Sequence, residues 1–189
     1  MKQIGDGEKV QMRTRKDLAE EAHRAALKPF HGDIQGRESN LEPIISLFPK
    51  WSVQQADGLW CAAFFYYCCL LAGFDFPYSP SSCVSCSLAG CGGWEEFALG
   101  DSQIGYHRRE EQGFVPQAGD IVLYDRVFNG QEHDHIGVVL EASDSGLVAA
   151  EGNVPGKNCS GLVRRRRGEH IRAYIRIPDG YRYEEDSET

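Results

Sequence analysis

Apolar residues keep a helical period through the first half of the chain and an alternating period through much of the second. Between Thr14 and Leu27, the positions Leu18, Ala22, Ala25, Ala26 and Leu27 form an apolar stripe among charges, which predicts an amphipathic helix. Pro29, Gly32 and Gly36 end it. Leu41 to Phe48 reads as a second short helical or irregular segment leading through Pro49 to Trp51. The clearest helix follows: Cys61, Phe64, Phe65, Cys68, Leu71 and Ala72 recur at helical spacing, with Asp57 as the expected N-cap and Gly73 as the stop. Residues 74–93 are rich in Pro, Ser, Gly and Cys and read as loop, with a short helix over Trp94–Leu99.

The period then shortens to two. Pro116–Asp120 reads as a turn, Ile121–Tyr124 as a buried strand, and His135–Leu140 as a second strand. Asp144–Gly146 turns the chain into a third strand, Leu147–Asn153, and a last strand alternates Ile171, Ala173, Ile175 and Ile177 against Arg172, Tyr174 and Arg176. Helices first and an antiparallel meander afterwards predict an α+β fold. The expected organisation is a helical extension over residues 1–45, whose first twelve residues are polar and loose, a main domain over 46–180, and an acidic tail over 181–189.

Three polar positions interrupt these apolar elements where chemistry can use them. Cys61 falls in the first turn of its helix, where unsatisfied amides and the positive end of the dipole favour thiolate over thiol. The same amides can donate to a developing oxyanion. His135 opens an apolar strand, and Glu151 and Asn153 share a face of the next. If these two strands form a hairpin about Asp144–Gly146, Glu151 or Asn153 comes beside the imidazole and can accept from one ring nitrogen. The other nitrogen stays free for the thiol proton. Taken singly, Cys61 reads as a buried helix cysteine, His135 as a satisfied core histidine and Glu151 as a surface carboxylate. Taken together, in this order, they are the parts of a thiol nucleophile, its base and the group that orients the base.

These residues resemble a known family, the CHAP amidases and peptidases, relatives of the NlpC-type cell-wall hydrolases in the papain-like superfamily. The likeness lies in Trp60-Cys61-Ala62-Ala63-Phe64 ending at Ala72-Gly73, in Pro116-x-x-Gly119-Asp120-Ile-Val-Leu-Tyr124, in His135-Ile-Gly-Val-Val139, and in Glu151-Gly152-Asn153. It covers roughly Trp51 to Ile177. The resemblance implies a papain-like α+β fold, a nucleophilic Cys61, His135 as general base, and Glu151 with Asn153 orienting and polarising the imidazole. His133 competes for the base, but only His135 directly precedes the apolar strand. It also implies an oxyanion-hole glutamine upstream of the nucleophile, for which Gln55 is the candidate and Gln54 the next. The activity implied is cleavage of an amide in the peptide part of peptidoglycan, by an amidase or an endopeptidase. Some members carry an acidic calcium loop before the cysteine. Residues 54–60 offer one carboxylate, so no calcium and no other cofactor is expected.

Bulk properties narrow the partners. The 189 residues carry a formal charge of −8, which argues against a general nucleic-acid binder, and Arg164–Arg167 reads as a solvated turn or strand face. No apolar run approaches the roughly 18–20 residues that span a bilayer, so no membrane partner is expected. Met1–Glu8 lacks the apolar core of a secretory signal, so synthesis in the cytoplasm with signal-independent export or release by lysis is the expectation. Such a chain fits a phage lysin or an antibacterial effector, the latter with a cognate inhibitor protein. Seven cysteines leave at least one unpaired within a monomer. Cys83, Cys86 and Cys91, with His107, form the alternative zinc set, although the second tight ligand pair of a structural zinc is missing. The rival to catalysis is a peptide-binding or interaction module on the same fold, with that loop holding zinc. Trp51, Trp60, Trp94 and Tyr106 are candidates for a groove or for core packing.

Overall fold

A computed structural model describes residues 13–168 and 170–185. The loose stretch expected over 1–12 and the end of the acidic tail, 186–189, lie outside the described residues. The elements run α1 (Arg15–Leu27), α2 (Glu42–Ile45), α3 (Val53–Ala56), α4 (Cys61–Leu71), α5 (Cys91–Gly100), β1 (Gly105–Arg108), β2 (Ile121–Tyr124), β3 (His135–Ala142), β4 (Gly146–Glu151), β5 (Gly161–Arg166) and β6 (Ile171–Arg176). The strands form one antiparallel sheet in the order β1-β6-β2-β3-β4-β5. The fold is the expected α+β, papain-like arrangement of helices packed on an antiparallel sheet.

Helix α4 is apolar on nearly every side, as a helix enclosed by its neighbours must be. Cys61, Ala62, Ala63, Phe64, Phe65, Tyr66, Cys68 and Cys69 are all buried. It ends in a Schellman motif: Gly73 takes φ +85°, its amide donates to the Leu70 carbonyl, and the Phe74 amide donates to that of Cys69. Helix α1 opens with a capping box between Thr14 and Asp17 and buries Leu18, Ala19, Ala22, Ala25 and Ala26 against α4 and strands β3 to β5. Leu27, expected on that face, is instead 61% exposed, because it lies about two and a half turns beyond Leu18 and so on the opposite side of the helix.

The Gly119-Asp120 pair ties this N-terminal helix to the sheet. Gly119 sits at φ +85°, and a Cβ there would fall 2.0 Å from the Arg15 carbonyl oxygen, so only glycine lets the turn approach α1. The buried Asp120 carboxylate accepts from Arg176 Nε at 2.8 Å and Arg15 Nη1 at 3.2 Å, and from the Gln117 amide at 2.8 Å. The buried charge of Asp120 is thereby compensated.

Both faces of the sheet are packed. Leu123, Ile136, Val138, Ala150 and Ile175 join the main core with α4. Val122, Tyr124, Val139, Ala149, Ile171 and Tyr174 form a smaller cluster on the other face. Two strands beyond the sequence expectation complete the sheet, β1 pairing with β6 and β5 with β4. Helix α5 starts three residues before the expected Trp94, because loop 85–90 folds over its head. A Cβ on Gly93 would lie 2.4 Å from the Ser87 carbonyl oxygen, so glycines that read as breakers are here required by close packing.

Candidate active site

Cys61 is the first residue of α4. The helix N-cap is Trp60, with no side-chain cap, so the amides of the first turn keep their donors for other groups. Asp57, expected as the cap, instead closes α3 and holds a loop network. Its Oδ1 accepts from the Asp33 amide at 2.8 Å and from Asn158 Nδ2 at 2.7 Å, while Asn158 Oδ1 accepts from Trp60 Nε1 at 2.9 Å. Trp60 is fully buried, and this network fixes the backbone immediately before the thiol.

His135 is the first residue of β3 and Glu151 the last of β4, and both side chains are fully buried. The pairing Val138↔Ala150 sets Glu151 across from Gly137, one alternation along from His135. A Cβ on Gly137 would meet Glu151 Cγ at 2.9 Å. The bare glycine is what lets the carboxylate reach diagonally to the imidazole. His135 Nε2 meets Glu151 Oε2 at 2.8 Å. A carboxylate only accepts, so Nε2 carries the proton and Nδ1 faces inward. Nδ1 is buried and unpartnered at strict hydrogen-bond geometry, and the group acting on that ring besides Glu151 is the Cys61 sulfur. Tyr124 and Phe128 flank the imidazole nearly parallel, with ring centroids at 6.0 and 6.1 Å.

Two further residues complete the arrangement: Arg165, which was not picked out from sequence, and Cys91, which was read there only as a candidate zinc ligand. Arg165 of β5 grips Glu151 with both ends of its guanidinium, Nε to Oε1 at 2.6 Å and Nη2 to Oε2 at 2.5 Å, and lies 4.6 Å over the Tyr124 ring. Only part of the Arg164–Arg167 run is therefore a solvated face. Alternation in β5 places Gly161, Val163 and Arg165 on the more buried side, and that period was the signal available. Cys91, at the head of α5, brings its sulfur to 3.7 Å from that of Cys61.

These neighbours move the ionisation of the pair. The Cys91 thiol hydrogen bond stabilises a Cys61 thiolate; burial opposes it, and His135 and the Ala62 amide add to it, so Cys61 falls to about 5. Burial alone would lower His135, but the hydrogen bonds and charges of Cys61 and Glu151 outweigh it and carry the imidazole up to about 9. Burial likewise opposes ionisation of Glu151, and His135 and Arg165 overcome it and hold the carboxyl below its ordinary range. These influences favour a thiolate–imidazolium pair, backed by a carboxylate–guanidinium pair.

Other candidates are placed elsewhere. Asn153 is not on the imidazole: the strand ends at Glu151, Asn153 turns to φ +48°, and its Nδ2 donates to the Gly58 carbonyl at 2.7 Å. It braces the loop before Cys61. Gln55 is exposed and committed to the α3 capping box, its Oε1 accepting from the Ser52 amide at 3.0 Å, and Gln54 is exposed as well. Neither is held as an oxyanion donor. His133 pairs with Glu95, which also binds Tyr106 and Arg172. The proposed zinc ligands do not converge: Cys83 donates to the Gly93 carbonyl, Cys86 is exposed, Cys91 faces Cys61, and His107 pairs with Glu111 and stacks on Phe114. Trp60 and Trp94 are core residues, not groove walls.

A model of the CHAP domain matches residues 53–153, which contain Cys61, His135 and Glu151. The chain belongs to the CHAP family. CHAP domains are in general cysteine- and histidine-dependent amidases or peptidases acting on peptidoglycan. No curated protein matches the chain. Among solved structures, the crystal structure of Ly7917 matches with a TM-score of 0.50 at 14% identity, over 87% of this chain and 62% of that one. The chain thus spans about three fifths of the length of Ly7917, and the likeness concerns the fold alone. Among the described residues of this CHAP protein, no helix is long and apolar enough to cross a membrane.

Proposed function

We propose that this chain is a cysteine hydrolase that cleaves an amide bond in the peptide part of peptidoglycan. The observation that carries the reading is the meeting of the helix-head thiol Cys61 with His135, itself aligned by Glu151 at 2.8 Å. In the resting state Cys61 is a thiolate and His135 an imidazolium. The sulfur attacks the carbonyl carbon, and the oxygen of the tetrahedral intermediate is held by free amides in the first turn of α4. With Gln55 committed elsewhere, backbone donors take the part expected of a side chain.

The C–N bond then breaks as His135 Nδ1 gives its proton to the leaving amine. A thioester remains on Cys61. Water attacks it while Nδ1 takes a water proton, the acid is released, and the thiolate–imidazolium pair is restored. Glu151 stays ionised throughout, pinned by Arg165, and keeps the ring in the tautomer that presents Nδ1 to the sulfur. Glu95, Tyr106, Arg108, Arg109 and Arg172 line a polar cleft of about 480 Å³ beside α5, the helix headed by Cys91.

The test is digestion of purified peptidoglycan under reducing conditions, with mass spectrometry of the soluble products, for the wild type beside Cys61→Ala. Fragments made only by the wild type support the reading, and their new termini name the bond. A folded wild type that releases no fragments from peptidoglycan contradicts it.

A further inference from the structure

Seven thiols are free in this protein, and two of them meet. Cys61 and Cys91 each begin a helix, on α4 and α5, and the two heads converge so that the sulfurs stand 3.7 Å apart. Both are nearly buried, at 8% and 6% exposure. The packing that creates this contact is specific: loop 85–90 crosses the head of α5, against Gly93.

We propose that Cys61 and Cys91 form a reversible redox pair, in which a hydroperoxide joins them as a disulfide and a dithiol reductant separates them, switching the nucleophile off and on. The proposal rests on Cys61 being the reactive thiolate of the hydrolase reading. The Cys61 sulfur attacks the distal oxygen of the peroxide, the O–O bond breaks, and the leaving oxygen takes a proton and departs as water or alcohol. Cys61 is then a sulfenic acid. The Cys91 sulfur attacks the Cys61 sulfur, loses its proton, and expels the hydroxyl as a second water. The sulfurs lose two electrons in all and the peroxide gains them. A disulfide requires about 2.0 Å between sulfurs, so modest rotation of the two side chains covers the gap. An external dithiol reverses the step by exchange, becoming a disulfide itself.

The division of labour follows from the surroundings. A thiolate is the form that attacks peroxide, and Cys61 has the imidazolium and helix-head amides that favour it. Cys91 is held protonated by its hydrogen bond to Cys61, by burial and by the Cys61 charge, as suits a resolving thiol that reacts only after the first step. Cys68 and Cys69 lie farther along α4, fully buried, with ionisation disfavoured by desolvation. Cys86 is exposed near the head of α5 and is the competing partner.

The experiment treats the full chain with hydrogen peroxide, blocks remaining thiols by alkylation, and maps the peptides by mass spectrometry before and after dithiothreitol. The expected product is a Cys61–Cys91 linked peptide that dithiothreitol abolishes, restoring alkylation of Cys61. In Cys91→Ala, the same dose should carry Cys61 to sulfinic acid, with recovery of the free thiol below about a tenth of the wild-type level. Circular dichroism of the variant establishes that it is folded, and the wild-type linkage stands as a test without it. A wild type whose Cys61 gives no link to Cys91, or links to Cys86, overturns the proposal. Because the linkage is read by mass, a protein that cleaves no peptidoglycan can still form it, and a working hydrolase that does not form it overturns the pair alone.

Discussion

The pair Cys61–His135 depends on residues whose contribution is geometric, and two of them make sharp tests. Gly137 leaves the space through which Glu151 reaches His135. Gly137→Ala places a Cβ 2.9 Å from Glu151 Cγ, so the carboxylate must withdraw from the ring. Peptidoglycan cleavage should fall by on the order of a hundredfold, with kcat lost more than KM, the mark of a general base losing its alignment. An unchanged kcat would mean that Glu151 does not act through His135. Arg165→Met leaves the fully buried Glu151 with one partner and should destabilise the fold by on the order of 3 kcal/mol, read as a lower urea midpoint. Arg165 shows where sequence reading stops at this scale. A run of four arginines hides the one that turns inward, and only a strand assignment for residues 161–166 exposes it. Cys61, His135 and Glu151 were legible because each interrupts an apolar element at its end. Asn153 misled because the alternation that put it on the same face as Glu151 ends with the strand at Glu151.

At the scale of elements, periodicity located α1, α4, β2, β3, β4 and β6, each of which carries a stripe or an alternation long enough to read. It missed β1, a four-residue edge strand with no fully buried position, and it started α5 late because Gly92 and Gly93 look like breakers. The reason they are glycines is tertiary: the Ser87 carbonyl oxygen would lie 2.4 Å from a Cβ on Gly93. Backbone cannot move aside as a side-chain tip can. Gly93→Ala should therefore cost about 1–3 kcal/mol of stability in chemical denaturation. It should also shift the head of α5 and raise the pH at which Cys61 ionises, since the Cys91 hydrogen bond is the largest influence favouring that thiolate. A variant as stable as wild type would show that loop 85–90 does not hold α5.

At the scale of the molecule, α1 belongs to the same hydrophobic core as the catalytic helix, and the Asp120 cluster joins it to the turn before β2 and to β6. Asp120→Asn leaves two arginines facing a neutral, buried amide. We expect a loss of on the order of 3 kcal/mol in stability, read as a lower urea midpoint, with the ionisation of Cys61 unaltered because neither Asp120 nor its arginines are among the groups that shift it. A shifted Cys61 titration in that variant would show a coupling that the fold does not account for. The pH dependence of stability follows from the site as well. Cys61 titrates below its ordinary 9.0, so its contribution is lost as pH falls through about 5. His135 titrates above its ordinary 6.5, so its contribution is lost as pH rises through about 9. Between 6.5 and 9.0 the gain at Cys61 and the loss at His135 oppose each other, so urea midpoints should hold level there and decline as pH falls from about 6.5 to about 5.

The central claim is that Cys61 is a thiolate paired with His135 in the resting protein. The most direct measurement is the rate of alkylation of each cysteine as a function of pH, resolved by peptide mass spectrometry under reducing conditions. The account predicts that Cys61 reacts at a rate set by a titration near 5, well ahead of Cys68 and Cys69, with that titration moved upward in His135→Ala. A Cys61 that begins to react only near 9.0, with or without His135, would contradict it.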